Sequence, residues 1–177
     1  MKTDLKREIV LGDKVTVELK GGSLKIKGPK GEVERNLLDP KILVQVQEGK
    51  VILLAKGASK RIKMQLGTFT SHVKNMVKGV KELHQYKLKI CSGHFPMNVA
   101  INGNEIVIKN FFGETVPRRA SLPKGVEVKV SGNDITISSV DIEAAGLAAS
   151  TIENLCRITN RDIRIFQDGC YITQKPE

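Results

Sequence analysis

Histidines, cysteines and arginines are the residues of this chain whose chemistry could matter, and their spacing decides most of it. His72, His84 and His94 are scattered, and none has a second His, Cys or carboxylate at a metal-binding interval. Cys91, Cys156 and Cys170 form no CxxC pair. An odd number of widely spaced cysteines fits neither a disulfide framework nor a zinc site, and suits a reducing, cytoplasmic setting. His94, in GHFPMN, is read as hydrogen-bonding a turn, and Cys91, in KLKICSG, as a small apolar core residue. GxSxG, HExxH, P-loop and GxGxxG sequences are absent. Catalysis needs polar groups that converge, and no such set stands out. No catalytic residue, metal ligand or cofactor is expected.

The cations form a different pattern. Lys56, Lys60, Arg61 and Lys63 lead into a helical stretch. Arg118, Arg119 and Lys124 lie in ETVPRRASLPKG, between two prolines that would stiffen a loop. Arg157, Arg161 and Arg164 come in CRITNRDIRIFQDG, close to Phe166. Guanidinium pairs with phosphate, and rings stack on unpaired bases, so these ten residues are the candidate RNA contacts. Phe166 itself is assigned to a packed strand with Ile163, Ile165 and Ile172. The chain holds 29 basic and 19 acidic residues, net +10, a balance typical of a polyanion partner. Residues 1–88 hold 19 basic and 9 acidic residues and residues 89–177 hold 10 of each, so the excess lies in the first half. Net charge is a poor guide to a footprint, however, because acids may face away from it.

The elements that must position these groups occur twice. VTVELKGGSLKIKGPKGE, from Val15, aligns with MNVAINGNEIVIKNFFGE, from Met97. Apolar and polar residues alternate on both sides of a Gly/Asn turn, the pattern of a half-buried β-hairpin. A second hairpin follows in each copy, ILVQVQEGKVILLA from Ile42 and VEVKVSGNDITISS from Val126. A helix then closes each copy. Ile62, Leu66, Phe69, Val73, Met76, Val77 and Val80 make the first apolar stripe. Ala145, Ala149, Ile152, Leu155 and Cys156 make the second, with Asp141 as N-cap and Glu143 in the first turn. Small residues at Ala144, Gly146, Ala148 and Ala149 suit a close approach of helix to sheet. One more strand is placed after each helix, over Tyr86–Ile90 and Ile163–Ile172. The expected architecture is α+β: two tandem repeats, 1–84 and 85–177, each an antiparallel β-sheet covered on one face by one α-helix. The charged start MKTDLKRE is no signal peptide, and no apolar run approaches the ~20 residues that span a bilayer.

Several motifs carry a resemblance over nearly the whole chain. HFPMNV at His94, IKNFFGE at Ile108, PRRA at Pro117, VDIEAAG at Val140 and RDIRIFQDGCYI at Arg161 resemble the universal large-subunit ribosomal protein six family in its archaeal and eukaryotic form. That resemblance implies a structural, non-enzymatic protein of two duplicated modules that binds large-subunit rRNA. The site implied is near the sarcin–ricin loop and the base of the lateral stalk, beside other large-subunit proteins and the translation GTPases. It assigns rRNA contact to the basic residues around Arg118 and Arg119 and to the Arg161–Asp168 stretch. The first-repeat lysines are assigned from charge alone. The Gly/Lys-rich tail of bacterial members is missing, which points to the archaeal type, and Cys170 stands where an aliphatic residue is usual. The competing expectation is a general RNA chaperone or regulatory RNA binder, which ought to display several exposed aromatics.

Overall fold

The computed structural model describes residues 3–12, 15–47 and 49–176. It divides into two compact units, Met1–Leu83 and His84–Glu177. The fold is α+β, a tandem repeat in which a helix follows each group of antiparallel strands.

The first unit runs β1 (Thr3–Val10), β2 (Thr16–Lys20), β3 (Ser23–Gly28), β4 (Gly31–Asn36), β5 (Leu43–Gln47), β6 (Lys50–Ala58) and α1 (Lys60–Lys81). Its strands form two sheets, ordered β1-β6-β5 and β2-β3-β4, and α1 packs on both. The helix buries Ile62, Leu66, Val73, Met76, Val77 and Val80, the face given by the three-and-four spacing, with Phe69 half-buried beside them. Each fully buried aliphatic side chain contributes about 1.5–3 kcal/mol. Capping contributes less here, since Ser59 at the N-cap makes no side-chain hydrogen bond. At the far end the backbone closes tightly. The N–H of Lys30 donates to the Val80 carbonyl at 3.1 Å, and a Cβ on Gly28 would lie 2.8 Å from Val80 Cβ.

The second unit runs β7 (His84–Cys91), β8 (Asn98–Asn102), β9 (Glu105–Lys109), a single 3-10 turn (Phe111–Gly113), β10 (Arg118–Ser121), β11 (Val126–Ser131), β12 (Asp134–Ser139), α2 (Ile142–Leu155) and β13 (Gly169–Gln174). Its sheets are β11-β12-β7-β13 and β10-β9-β8. Asp141 caps α2 by accepting the Glu143 N–H at 3.0 Å. Ala145, Ala148, Ala149 and Ile152 are fully buried. A Cβ on Gly146 would reach Tyr86 Oη at 3.0 Å, so the small residues do set a close approach.

The duplication is visible in the registers. Leu19 faces Leu24 and Val17 faces Ile26 in the first hairpin of one unit; Ile101 faces Ile106 and Val99 faces Ile108 in the other. The second hairpins agree equally, Val44 with Leu53 and Val46 with Val51 against Val128 with Ile137 and Val130 with Ile135.

Three expectations need correction. The strand over Tyr86–Ile90 does not complete the first repeat. As β7 it lies inside the second unit's sheet, paired to β12 and β13, because its buried His84, Leu88 and Ile90 need neighbours on both sides. Its counterpart in the first unit is β1, which pairs β6 as β7 pairs β12 and which a charged sequence had concealed. The last strand begins only at Gly169; Ile163 and Ile165 are 68% and 65% exposed in the turn before it. Finally, the arginines between the two prolines form a strand, β10, paired to β9, and not a loop.

Candidate nucleic-acid interface

Alternation along β10 sends its two arginines to opposite fates. Arg118 pairs in register with Ile108 and turns toward the protein. Its guanidinium lies 4.2 Å from the centre of the buried Phe111 ring. Nε and Nη2 donate to Glu114 Oε2 and Oε1 at 2.8 and 2.6 Å. Nη1 donates to the carbonyls of Leu155 and Arg157 at 2.9 and 3.1 Å. Leu155 is the last residue of α2, where helices leave acceptors without intrahelical partners, and Arg157 follows just after its cap. The hydrogen bond from Arg118 holds the Glu114 carboxyl below its ordinary value, against a smaller opposing effect of burial. Arg118 is therefore an internal brace between β10 and α2. Arg119 points out and is exposed, and Lys124 is exposed in the turn that follows.

Behind this brace lies an aromatic cluster. Asn110 and Phe112 both adopt the left-handed region, φ 60° and 50°. For a bulky residue such as Phe112 this conformation costs on the order of 1–3 kcal/mol. The turn is held by the Asn110 side-chain amide, which donates to the Pro96 carbonyl at 3.0 Å. Phe111 enters the core, while Phe112 stays half-buried, edge-on to Phe111 with centroids 4.7 Å apart. Phe166 meets Phe112 edge-on at 5.6 Å, and the His94 ring lies 4.9 Å from Phe166. The guanidinium of Arg161 stands 5.0 Å from the centres of both Phe112 and Phe166. Phe166 is thus not strand core, as its sequence neighbours suggested; it belongs to a surface cluster.

Asp168 anchors that cluster from within. Its carboxylate is buried, at 2% exposure. It accepts the N–H groups of Gly93 and His94 at 2.9 and 3.0 Å and contacts His94 Nδ1 at 3.1 Å. Burial alone would raise its pKa, but the two backbone N–H donors and the His94 ring outweigh it and bring the carboxyl below the ordinary value.

The other candidates are placed as follows. Arg157 and Arg161 are exposed after α2. Arg164 donates to the Asp162 carboxylate through Nε and Nη2 at 3.1 and 2.8 Å, so much of its charge is already compensated. Lys56 is exposed on β6, and Lys60, Arg61 and Lys63 are exposed in the first turn of α1. That turn holds no acidic residue, so three cations sit at the positive end of the helix dipole, which is an unfavourable arrangement without an anion. The structure thus brings Arg118 and Arg161 against the aromatic rings of the second unit, whereas Lys56, Lys60, Arg61 and Lys63 lie on β6 and α1 of the first. Spacing missed His94, Phe112, Phe166 and Asp168. The one signal was the pair of NFFGE and FQDG motifs, too far apart in sequence to show that their rings touch.

Among the described residues no group of three or more His, Cys, Asp or Glu is placed to hold a metal ion. Cys156 and Cys170 lie in the core, and the hydrogen bond with Cys156, followed by burial, pushes the Cys170 thiol up. No helix of the described residues is long and apolar enough to cross a membrane.

Comparison with known proteins gives one result. The model of the family described as ribosomal protein L6 matches residues 11–83 and 95–169, one segment in each unit. The large ribosomal subunit protein uL6 of Methanosarcina mazei is 43% identical over 175 residues, covering 99% of each chain. That of Natronomonas pharaonis is 39% identical over 173 residues, covering 98% of each. That of Archaeoglobus fulgidus is 42% identical over 157 residues, covering 89% of this chain and 80% of its own.

Proposed function

The chain belongs to the ribosomal protein L6 family, and from that premise we propose that it braces large-subunit rRNA near the sarcin–ricin loop and the stalk base. Membership makes it a structural, non-enzymatic constituent of the large subunit, associated with the cytoplasmic ribosome, of archaeal type. The position on the rRNA is our reading. So is the neighbourhood it implies, with other large-subunit proteins at the stalk base and translation GTPases docking nearby.

One observation carries the rRNA contact. Around the aromatic cluster the acids are occupied internally, Glu114 by Arg118, Asp162 by Arg164 and Asp168 by His94. Arg119, Lys124, Arg157 and Arg161 enter no ion pair with a described residue. A unit with almost no net charge in its sequence can therefore still present a cationic face to phosphate. The exposed cations Lys56, Lys60, Arg61 and Lys63 offer a second face in the first unit.

The test is binding of the full chain to the rRNA fragment carrying the sarcin–ricin loop, with an unrelated structured RNA as control. If about four phosphates are neutralised, affinity should fall by on the order of a hundredfold between roughly 50 and 200 mM salt. Tight binding that ignores salt would refute phosphate neutralisation. Equal binding to both RNAs would favour the general RNA binder, for which the aromatic cluster supplies the stacking surface that the sequence seemed to lack.

A further inference from the structure

Resting on the rRNA-binding reading above, we propose that Arg161, His94, Phe112 and Phe166 form the seat of one unstacked nucleobase of the bound RNA. Four observations converge on it. Phe112 is held in a left-handed conformation that bulky residues avoid, φ 50°. Phe111 fills the core, while the Phe112 ring packs against the core's edge and keeps part of its surface half-buried and open to solvent. Strain maintained at a surface ring points to a role for that ring outside the fold.

The second observation is Asp168, a buried carboxylate directed at His94, which fixes that residue by both its backbone and its ring. Third, Arg161 lies over two rings at once, and among the described residues no hydrogen bond engages its guanidinium. A guanidinium held 5.0 Å from both ring centres, with no hydrogen bond to a described residue, keeps its N–H donors available to a ligand. Fourth, Phe95 is 45% exposed and borders the same turn, near Gly113.

The chemistry favours a base over a bare phosphate. A phosphate needs cations and N–H groups, whereas this surface offers rings and one fork of donors lying against them. An unpaired base has a face to stack and an edge to hydrogen-bond. The fork of Arg161 matches best the O6 and N7 acceptors of guanine.

The test uses the full chain on the sarcin–ricin rRNA fragment, with ultraviolet crosslinking and mass spectrometry to locate nucleotide adducts. The wild type is compared with Arg161→Lys, an exposed change that keeps the charge, and with Phe166→Leu, checked by thermal melting. Adducts are expected on peptides carrying His94, Phe112 or Phe166. Each variant should lose about tenfold in affinity with the salt slope unchanged, as stacking lost at constant charge requires. Adducts confined to other peptides, with both variants binding like the wild type, would overturn the base seat and leave rRNA binding standing. If the cluster instead crosslinks to a neighbouring ribosomal protein on the assembled subunit while RNA adducts are absent there, the seat is a protein contact and the inference fails. A wild type that does not bind the fragment at all would overturn the reading beneath it, and this inference with it.

Discussion

The guanidinium of Arg118 lies 4.2 Å over the ring of Phe111 and reaches past it to the Leu155 and Arg157 carbonyls. A residue whose type and sequence context suggest a phosphate contact therefore ties a strand to the end of a helix. Arg118→Ala would remove charge-assisted hydrogen bonds and leave two carbonyls to find water. A destabilisation of about 2 kcal/mol is expected, read as a melting temperature lower by about 4–8 °C. Arg118→Lys should recover only part of it, because an ammonium cannot repeat the fork. A full recovery by lysine would refute the bracing geometry.

The neighbouring residue should behave oppositely. Arg119 is exposed on the other face of β10, so Arg119→Ala should leave the melting temperature unchanged. Its effect should appear in rRNA binding, as weaker affinity and a salt slope shallower by about one. An unchanged slope would take Arg119 out of the footprint.

Asp168 makes a pH-dependent prediction. Its folded-state carboxyl lies below the ordinary aspartate value of 3.8, so the stability it contributes is fully present above the unfolded value. That contribution is lost as pH falls from about 3.8 through the lower folded value. Asp168→Asn should melt at a lower temperature than the wild type at neutral pH. The difference should hold down to about pH 5 and then shrink in more acidic buffer. A difference that widened on acidification would show that the carboxylate is not what stabilises the His94 turn.

Gly28 tests the contact between hairpin and helix. A Cβ there would lie 2.8 Å from Val80 Cβ and 2.9 Å from the Val80 carbonyl oxygen. One obstacle is backbone, so the helix end must move, and Gly28→Ala should cost about 1–3 kcal/mol in denaturant unfolding. The small gain from restricting the unfolded chain, under about 1 kcal/mol, does not offset this. A neutral substitution would mean that α1 does not pack as closely on β3 as described.

Lys60 offers a trade-off. It opens α1 in a turn with no acidic residue, so Lys60→Glu should raise the melting temperature by about 1–2 °C through the helix dipole. The same change should weaken rRNA binding if the cations of the first unit lie in the footprint. Greater stability with unchanged affinity would confine the footprint to the second unit.

What the sequence determined is whatever chain-local physics encodes. Alternation around Gly/Asn turns specified four hairpins; their facing pairs, Val17 with Ile26 and Val99 with Ile108 among them, are seen in the structure, where side-chain period and turn geometry together fix register. Three-and-four spacing specified both helices and their buried faces, and Asp141 marked where the second begins. The family was legible as well, since its motifs are short continuous runs. What only the tertiary structure decided depends on partners distant in the chain. A strand is assigned to a sheet by its neighbours, so β7 had to meet β12 and β13 before it could be placed in the second unit. Arg118 and Arg119 are the same residue type in adjacent positions; strand alternation and the carbonyls of a helix 37 residues away separate a brace from a free cation. The aromatic cluster joins residues 94, 112, 161 and 166 around a carboxylate at 168. No local period records such a meeting, because its geometry comes from burial and pairing across the whole unit.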